Sequence, residues 1–61
     1  MAVWQTVFQT LPNNLEVVWI RVLNIYGEIT LAEFSTATNE FTIVQTGIVI
    51  PPYFIARWKS Q

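Results

Sequence analysis

The chain lacks the side chains on which most enzyme chemistry depends. Its 61 residues include no cysteine, no histidine and no aspartate. The missing cysteine excludes disulfides and thiolate zinc sites, and the missing histidine removes the commonest transition-metal ligand. Serine–histidine–aspartate triads and histidine-based proton transfer are excluded for the same reason. We therefore expect no catalytic residue, no metal site and no cofactor, and we interpret the protein as non-enzymatic.

Glutamate supplies all the acidic side chains, at positions 16, 28, 33 and 40. Glu28 and Glu33 fall on opposite faces of one predicted strand, so they would not form a catalytic carboxylate pair. Such a pair also needs a substrate cleft, which one small sheet rarely forms. Only Gly27 and Gly47 are present, so there is no glycine-rich phosphate loop. We interpret the glutamates as solvent-facing residues that discourage edge-to-edge aggregation.

Charge is scarce throughout the sequence. Hydrophobic residues make up 52% of the chain and charged residues 11%, whereas roughly 25% of an average globular domain is charged. So few charges cannot cover the surface of a small domain, and contiguous apolar surface usually marks an interface. The only basic residues are Arg21, Arg57 and Lys59, and the net charge is −1. We therefore expect a protein partner, in an oligomer or a larger assembly, and no nucleic acid.

The sequence contains no signal for membrane insertion or secretion. The purely apolar run at residues 17–20 is far shorter than the roughly 18 residues that a membrane-spanning helix requires. The first basic residue is Arg21, so no charged segment precedes an apolar stretch as it does in a signal peptide. We expect no membrane partner and no secretion by a signal peptide.

Patterning predicts four strands, at residues 17–25, 28–35, 41–45 and 53–59. The first is rich in valine and isoleucine and is apolar on both faces, which suits a central strand or one whose outer face meets a partner. Tyr26-Gly27 predicts a hairpin between the first two strands. Gly47 breaks the third strand, and Pro51-Pro52 predicts a bend before the last one. In that last strand, simple alternation would place Ile55 and Arg57 on the same face.

The N-terminal segment, residues 2–11, permits two readings. Its apolar residues fit a helical stripe as well as the faces of a strand: Val3, Trp4, Val7, Phe8 and Leu11. The poor helix propensity of valine, threonine, phenylalanine and tryptophan favours extended structure, but both alternatives stay open. The predicted fold is mainly β, as one domain over residues 1–61. It is a single small antiparallel sheet of about four strands, able to curl into an open barrel, with the N-terminal segment packed across it.

Aromatic side chains are the candidate binding residues. Three tryptophans exceed what a core of this size readily holds, so we expect at least one at an interface, where tryptophan is a favoured anchor. An aromatic platform for single-stranded nucleic acid would also need a positive groove, which three cations hardly supply. The candidates for a protein interface are Trp4, Phe8, Trp19, Tyr53, Phe54 and Trp58.

Several short motifs follow one another in a particular order. Trp4 is followed by six residues and then Leu11-Pro12, and a valine-rich segment covers residues 17–22. A glycine turn at Gly27 leads to the Ala-Glu-Phe element at 32–34, and an apolar segment at 55–58 contains a tryptophan. This order resembles a short domain-of-unknown-function family of phage and prophage proteins. The family has no established chemistry, so the resemblance implies a phage context and no active site.

Composition and resemblance together give two hypotheses. In the leading one, this is a non-enzymatic phage structural or assembly accessory protein that acts through an apolar and aromatic surface. It would form a homo-oligomer or dock on a larger virion protein such as capsid, portal or tail, and would be found in the virion or the host cytoplasm. In the alternative, it is a small phage effector that binds and inhibits a host protein.

Overall fold

The fold is one open antiparallel sheet of five strands. It was obtained as a computed structural model, which describes residues 3–23 and 29–61. The strands are β1 (Val17–Val22), β2 (Ile29–Ser35), β3 (Glu40–Ile43), β4 (Val49–Ile50) and β5 (Ile55–Ser60), with a short 3₁₀ helix at Pro52–Phe54. Their order across the sheet is β4-β3-β2-β1-β5. The mainly β, antiparallel prediction is confirmed, with one strand more than expected.

The first hairpin pairs as the sequence predicts. β1 and β2 run antiparallel, with Val18 opposite Ala32 and Ile20 opposite Thr30. The predicted Tyr26-Gly27 turn lies outside the described residues, as do Glu28 and the last two positions of the predicted strand 17–25. β5 then returns to the far side of β1. The first strand is therefore an interior strand, hydrogen-bonded on both sides.

The ends of the third predicted strand were wrong. β3 stops at Ile43, whereas the prediction extended to residue 45, and residues 44–46 form a turn. The Gly47 N–H donates to the Ile43 carbonyl at 2.7 Å, and Gly47 has a φ of +76°. Because glycine adopts this left-handed conformation without steric cost, the chain reverses here into the short edge strand β4.

The last strand begins two residues later than predicted, at Ile55. Tyr53 and Phe54 belong to the 3₁₀ helix, in which the Phe54 N–H donates to the Pro51 carbonyl at 3.1 Å. A proline fits the first turn of a helix because its fixed φ suits that turn and no N–H is needed there. The predicted bend at the proline pair is therefore present, and it takes up the first two residues of the predicted strand.

The core lies on one face of the sheet, which we call the inner face. Its buried members are Val18, Ile20, Ala32, Phe34, Phe41, Ile55 and Trp58. Phe34 and Phe41 are directly opposite on β2 and β3, and their ring centroids are 4.9 Å apart at an interplanar angle of 52°. No α-helix covers this face within the described ranges. Val7 of the N-terminal segment packs against it, together with Val22 and Ile50. The face of β1 that is buried is the one carrying Val18 and Ile20.

A bulge in β5 changes which of its residues face inward. Arg21 is opposite Arg57, but the next residue of β1, Val22, is opposite Ile55, so Ala56 is the extra residue. Ile55 and Trp58 are therefore both buried, while Arg57 is exposed. The alternation expected from the sequence, with Ile55 and Arg57 on one face, fails at this point because a bulge adds one residue to the strand.

The N-terminal segment forms neither a helix nor a regular strand over residues 3–11. Gln5 makes one antiparallel bridge with Trp58, whose backbone N–H and carbonyl each bond to Gln5 at 2.8 Å. A turn follows from residue 7 to residue 9, and Val7 packs against the core. The segment thus lies along the free edge of β5, partly extended as its composition favoured.

Leu15 adopts a strained backbone conformation before β1. Its φ is +61°, and its N–H donates to the Phe34 carbonyl at 2.7 Å. A left-handed conformation costs a residue with a Cβ roughly 1–2 kcal/mol. Asn39, with a φ of +56°, tolerates the same region better because asparagine often adopts it. The Leu15 side chain is 59% exposed, so the backbone bond, and not side-chain burial, holds this conformation.

We expect Leu15→Gly to raise the free energy of unfolding by about 0.5–1 kcal/mol, because relief of strain exceeds the added entropy of the unfolded chain. Urea unfolding followed by far-ultraviolet circular dichroism measures the change. Asn39→Gly is the matched control and should have the smaller effect. A loss of stability in Leu15→Gly would mean that the leucine side chain stabilises the fold.

Candidate functional site

The six candidate interface residues lie in three different places. Phe8, Tyr53 and Phe54 are on the surface, with exposed fractions of 92%, 69% and 47%. Trp4 and Trp19 are half-buried. Trp58 is only 4% exposed. The structure therefore separates a strongly exposed aromatic group, a pair of half-buried indoles and one core residue.

The exposed aromatic group borders a groove of about 250 Å³. Its walls come from the N-terminal segment, the turn before β3 and the 3₁₀ helix, and its lining residues are Val7, Phe8, Leu11, Asn39, Pro52 and Tyr53. We refer to these six residues as the aromatic groove. The Phe54 ring lies beside it, with its centroid 4.8 Å from that of Tyr53. The surface is mainly apolar, and Asn39 and the Tyr53 hydroxyl supply polar groups.

A tight turn forms the N-terminal wall of the groove. The Thr6 carbonyl accepts hydrogen bonds from the N–H groups of Gln9 at 3.1 Å and Thr10 at 3.3 Å. The Gln9 side-chain oxygen accepts from the Thr6 N–H at 3.0 Å, which closes the turn from the other side. Phe8 lies between these residues in a hydrogen-bonded turn, and its side chain is almost fully exposed. An apolar ring held outward on an ordered turn is typical of an interface anchor.

Trp58 attaches this wall to the sheet. Its indole Nε1–H donates to the Thr10 carbonyl at 3.0 Å, and its backbone pairs with Gln5. The ring itself fills the core. Trp58 was a candidate for direct contact with a partner, but in this structure it is buried, and it acts on the groove by fixing the segment that carries Phe8 and Leu11.

The 3₁₀ helix forms the opposite wall. Pro51 is extended, with φ −64° and ψ 153°, and Pro52 begins the helix. The Phe54 carbonyl accepts from the Leu23 N–H at 2.7 Å, which ties the helix to the end of β1. Tyr53 is left on the outside of this short helix, where its ring meets the groove. Backbone hydrogen bonds therefore hold both walls. Those of the N-terminal wall are made within its turn and to Trp58, and the 3₁₀ helix is bonded to Leu23 at the end of β1.

The half-buried indoles lie on the other face of the sheet, together with the three basic residues. Trp19 on β1 is opposite Lys59 on one side and Leu31 on the other. The Lys59 Nζ lies 4.8 Å from the centroid of the Trp4 ring, a cation–π contact. Arg21 and Arg57 are opposite each other on β1 and β5. This cluster was not predicted from the sequence, although alternation along β1 places Trp19 and Arg21 on the same face.

Glu16 has a structural role, because its carboxylate accepts from the Asn13 N–H at 2.9 Å and from the Ser60 hydroxyl at 3.1 Å. Among the residues that the structure describes, no three acidic, histidine or cysteine side chains are grouped as metal ligands would be. No described helix is long and apolar enough to cross a membrane. The described surfaces offer apolar contact, aromatic contact and charge.

Comparison with known proteins gives no relative from which a role could be transferred. No protein-family model matches the chain, and no curated protein or solved structure matches it. The function is therefore inferred from the surface of the chain itself.

We expect Trp58→Phe to loosen the N-terminal wall of the groove. The Thr10 carbonyl loses its indole donor, which lowers the free energy of unfolding by about 0.5–1.5 kcal/mol, and the smaller ring lowers it further. Amide hydrogen exchange should accelerate most at residues 5–10 and least in the β1–β2 ladder. Trp19→Phe, on the other face, is the control and should leave residues 5–10 protected. Equal acceleration in both variants would contradict the anchoring role.

Proposed function

We propose that this protein is a non-enzymatic structural or assembly accessory protein of a phage, which acts through its apolar and aromatic surface. It works as a homo-oligomer or docked on a larger virion protein. The observation that carries the proposal is the distribution of large apolar side chains: within residues 3–23 and 29–61, eleven are exposed while the core holds seven buried residues. The exposed set is Val3, Phe8, Leu11, Leu15, Leu23, Ile29, Val44, Ile48, Val49, Tyr53 and Phe54.

The aromatic groove is the part of this surface best suited to hold a protein partner. Burying one large apolar side chain contributes about 1.5–3 kcal/mol, and Phe8 and Tyr53 have most of their surface available for it. A few such anchors usually supply most of the affinity of an interface. The side chain of Asn39 and the hydroxyl of Tyr53 can form hydrogen bonds with the backbone of a partner. These features favour an apolar segment of a larger protein as the occupant.

The phage assignment is supported by the order of short motifs along the chain. In the first of these motifs two residues have clear structural roles, since Trp4 contacts Lys59 and Leu11 lines the groove. Pro12, which follows Leu11, is buried. The pattern of Trp, six residues and Leu-Pro thus spans the segment that builds one wall of the groove.

Mass spectrometry of purified particles from the phage that encodes the chain tests this proposal. A virion component should be present in a fixed copy number per particle after stringent purification. Absence from clean particles would contradict the proposal. Absence together with co-purification of a single host protein would instead support the effector that binds and inhibits a host target.

We expect the double variant Phe8→Ser, Tyr53→Ser to fold normally. Its copy number per particle should fall by at least about tenfold, since two hot-spot anchors are removed. Both side chains are exposed, so the change should leave the circular dichroism spectrum intact. Ile48→Ser is the matched control, because Ile48 is 57% exposed but does not line the groove. Equal incorporation of both variants would show that the groove is not the docking site.

A further inference from the structure

The outward face of the sheet is ordered by charge. We refer to the outward-pointing residues of β1, β2, β3 and β5 as the outer face. Residues that are paired on neighbouring strands form rows across this face. The successive rows are Arg57–Arg21–Ile29, Lys59–Trp19–Leu31, Val17–Glu33–Thr42 and Ser35–Glu40. The first two rows contain all three basic residues of the chain. The last two rows contain two of its four glutamates.

The basic residues lie on β5 and β1 in the first two rows, and the two glutamates lie on β2 and β3 in the last two. The outer face therefore has a basic end and an acidic end at diagonally opposite positions, with an apolar middle between them. Trp19 and Leu31 are neighbours in the middle, and both are half-buried. Val17 is the residue of β1 opposite Glu33, and it is four residues from Arg21. This separation corresponds to about 13 Å along a strand. The two signs are thus far enough apart to be separate patches and close enough to fit within one interface.

The basic end carries an internal repulsion. Arg21 and Arg57 are directly opposite on neighbouring antiparallel strands, and like charges in this position destabilise a sheet. Both side chains are exposed, so each can turn towards a carboxylate brought by another molecule. An acidic surface placed against this end would relieve the repulsion.

We propose that a second copy of this chain binds to the outer face. The two copies are related by a two-fold axis that lies in the plane of the interface, perpendicular to the line between the basic and acidic ends, and crosses the apolar middle. Such an axis exchanges the two ends of the face. The basic end with Arg21 and Arg57 then meets the acidic end with Glu33 and Glu40 of the other copy, twice in each dimer. Trp19 and Leu31 of the two copies meet at the centre, where isologous contacts are self-complementary.

The two signs on one face favour a second copy over other occupants. A nucleic acid would gain three cations but would be repelled by Glu33 and Glu40. A uniformly acidic protein segment would fit only the basic end. A standard interface buries about 800 Å² per partner, which is a fifth of the accessible surface of 4237 Å² and can be supplied by one face of a sheet. This inference rests on the homo-oligomeric form of the proposed function, and it leaves the aromatic groove available to a different protein.

Charge reversal with mixing tests the inference. The acidic variant carries Arg21→Glu and Arg57→Glu, and the basic variant carries Glu33→Lys and Glu40→Lys. Sedimentation velocity should give a dimer for the wild type and a monomer for each variant alone, because like charges then face each other across the axis. An equimolar mixture of the two variants should recover a dimer, and native mass spectrometry should show that it contains one copy of each.

Folding of the variants is checked by circular dichroism. If Arg57→Glu disturbs the bulge in β5, Arg21→Glu with Lys59→Glu replaces it as the acidic variant. The groove variant Phe8→Ser, Tyr53→Ser is the control and should remain dimeric.

Several results would overturn the inference: a monomeric wild type, a mixture without heterodimer, or loss of the dimer in the groove variant alone. Binding of a single-stranded oligonucleotide by a monomeric wild type would assign the face to nucleic acid instead. A monomer that is nonetheless found in particles would overturn this inference and leave the proposed function standing. A dimer that is absent from particles would overturn the proposed function and leave this inference standing.

Discussion

Within the described residues no α-helix covers the sheet, so its inner face has to be buried by its own strands and by the N-terminal segment, and the rest of the structure depends on this constraint. Phe34 and Phe41 are fully buried on this face, with ring centroids 4.9 Å apart, and β5 pairs with β1 so that Trp58 joins the core. Many large apolar side chains among the described residues are nevertheless exposed, and they form the surface through which the protein is proposed to act.

Much of the fold could be predicted from the sequence because β-branched and aromatic residues are dense in it. The paired strands β1 and β2 follow directly from that pattern. The start of β5 was missed because Tyr53 and Phe54 favour strands, whereas the proline pair before them favours a 3₁₀ turn. No sequence motif marks the bulge at Ala56. It arises because β5 pairs with β1 and buries both Ile55 and Trp58, which alternation alone would place on opposite faces.

The candidate site could be predicted only in part, for the same reason. An excess of aromatic residues indicates that some of them face outward, but composition does not say which. Phe8 and Tyr53 meet at one groove because the bond from Trp58 to Thr10 holds the N-terminal segment in place, and this is a tertiary contact. The charge order of the outer face likewise needs the register of β5 against β1, which the sequence pattern leaves open.

Association is expected to compensate for the small core, because a domain near this size has little stability to spare and the sequence has no cysteine with which to form a disulfide. The most direct test is the thermal unfolding midpoint measured over about a hundredfold range of protein concentration. If the folded chains associate, mass action should raise the midpoint steadily with concentration. A midpoint independent of concentration, with full cooperativity at the lowest concentration, would contradict this and show that the core alone is sufficient.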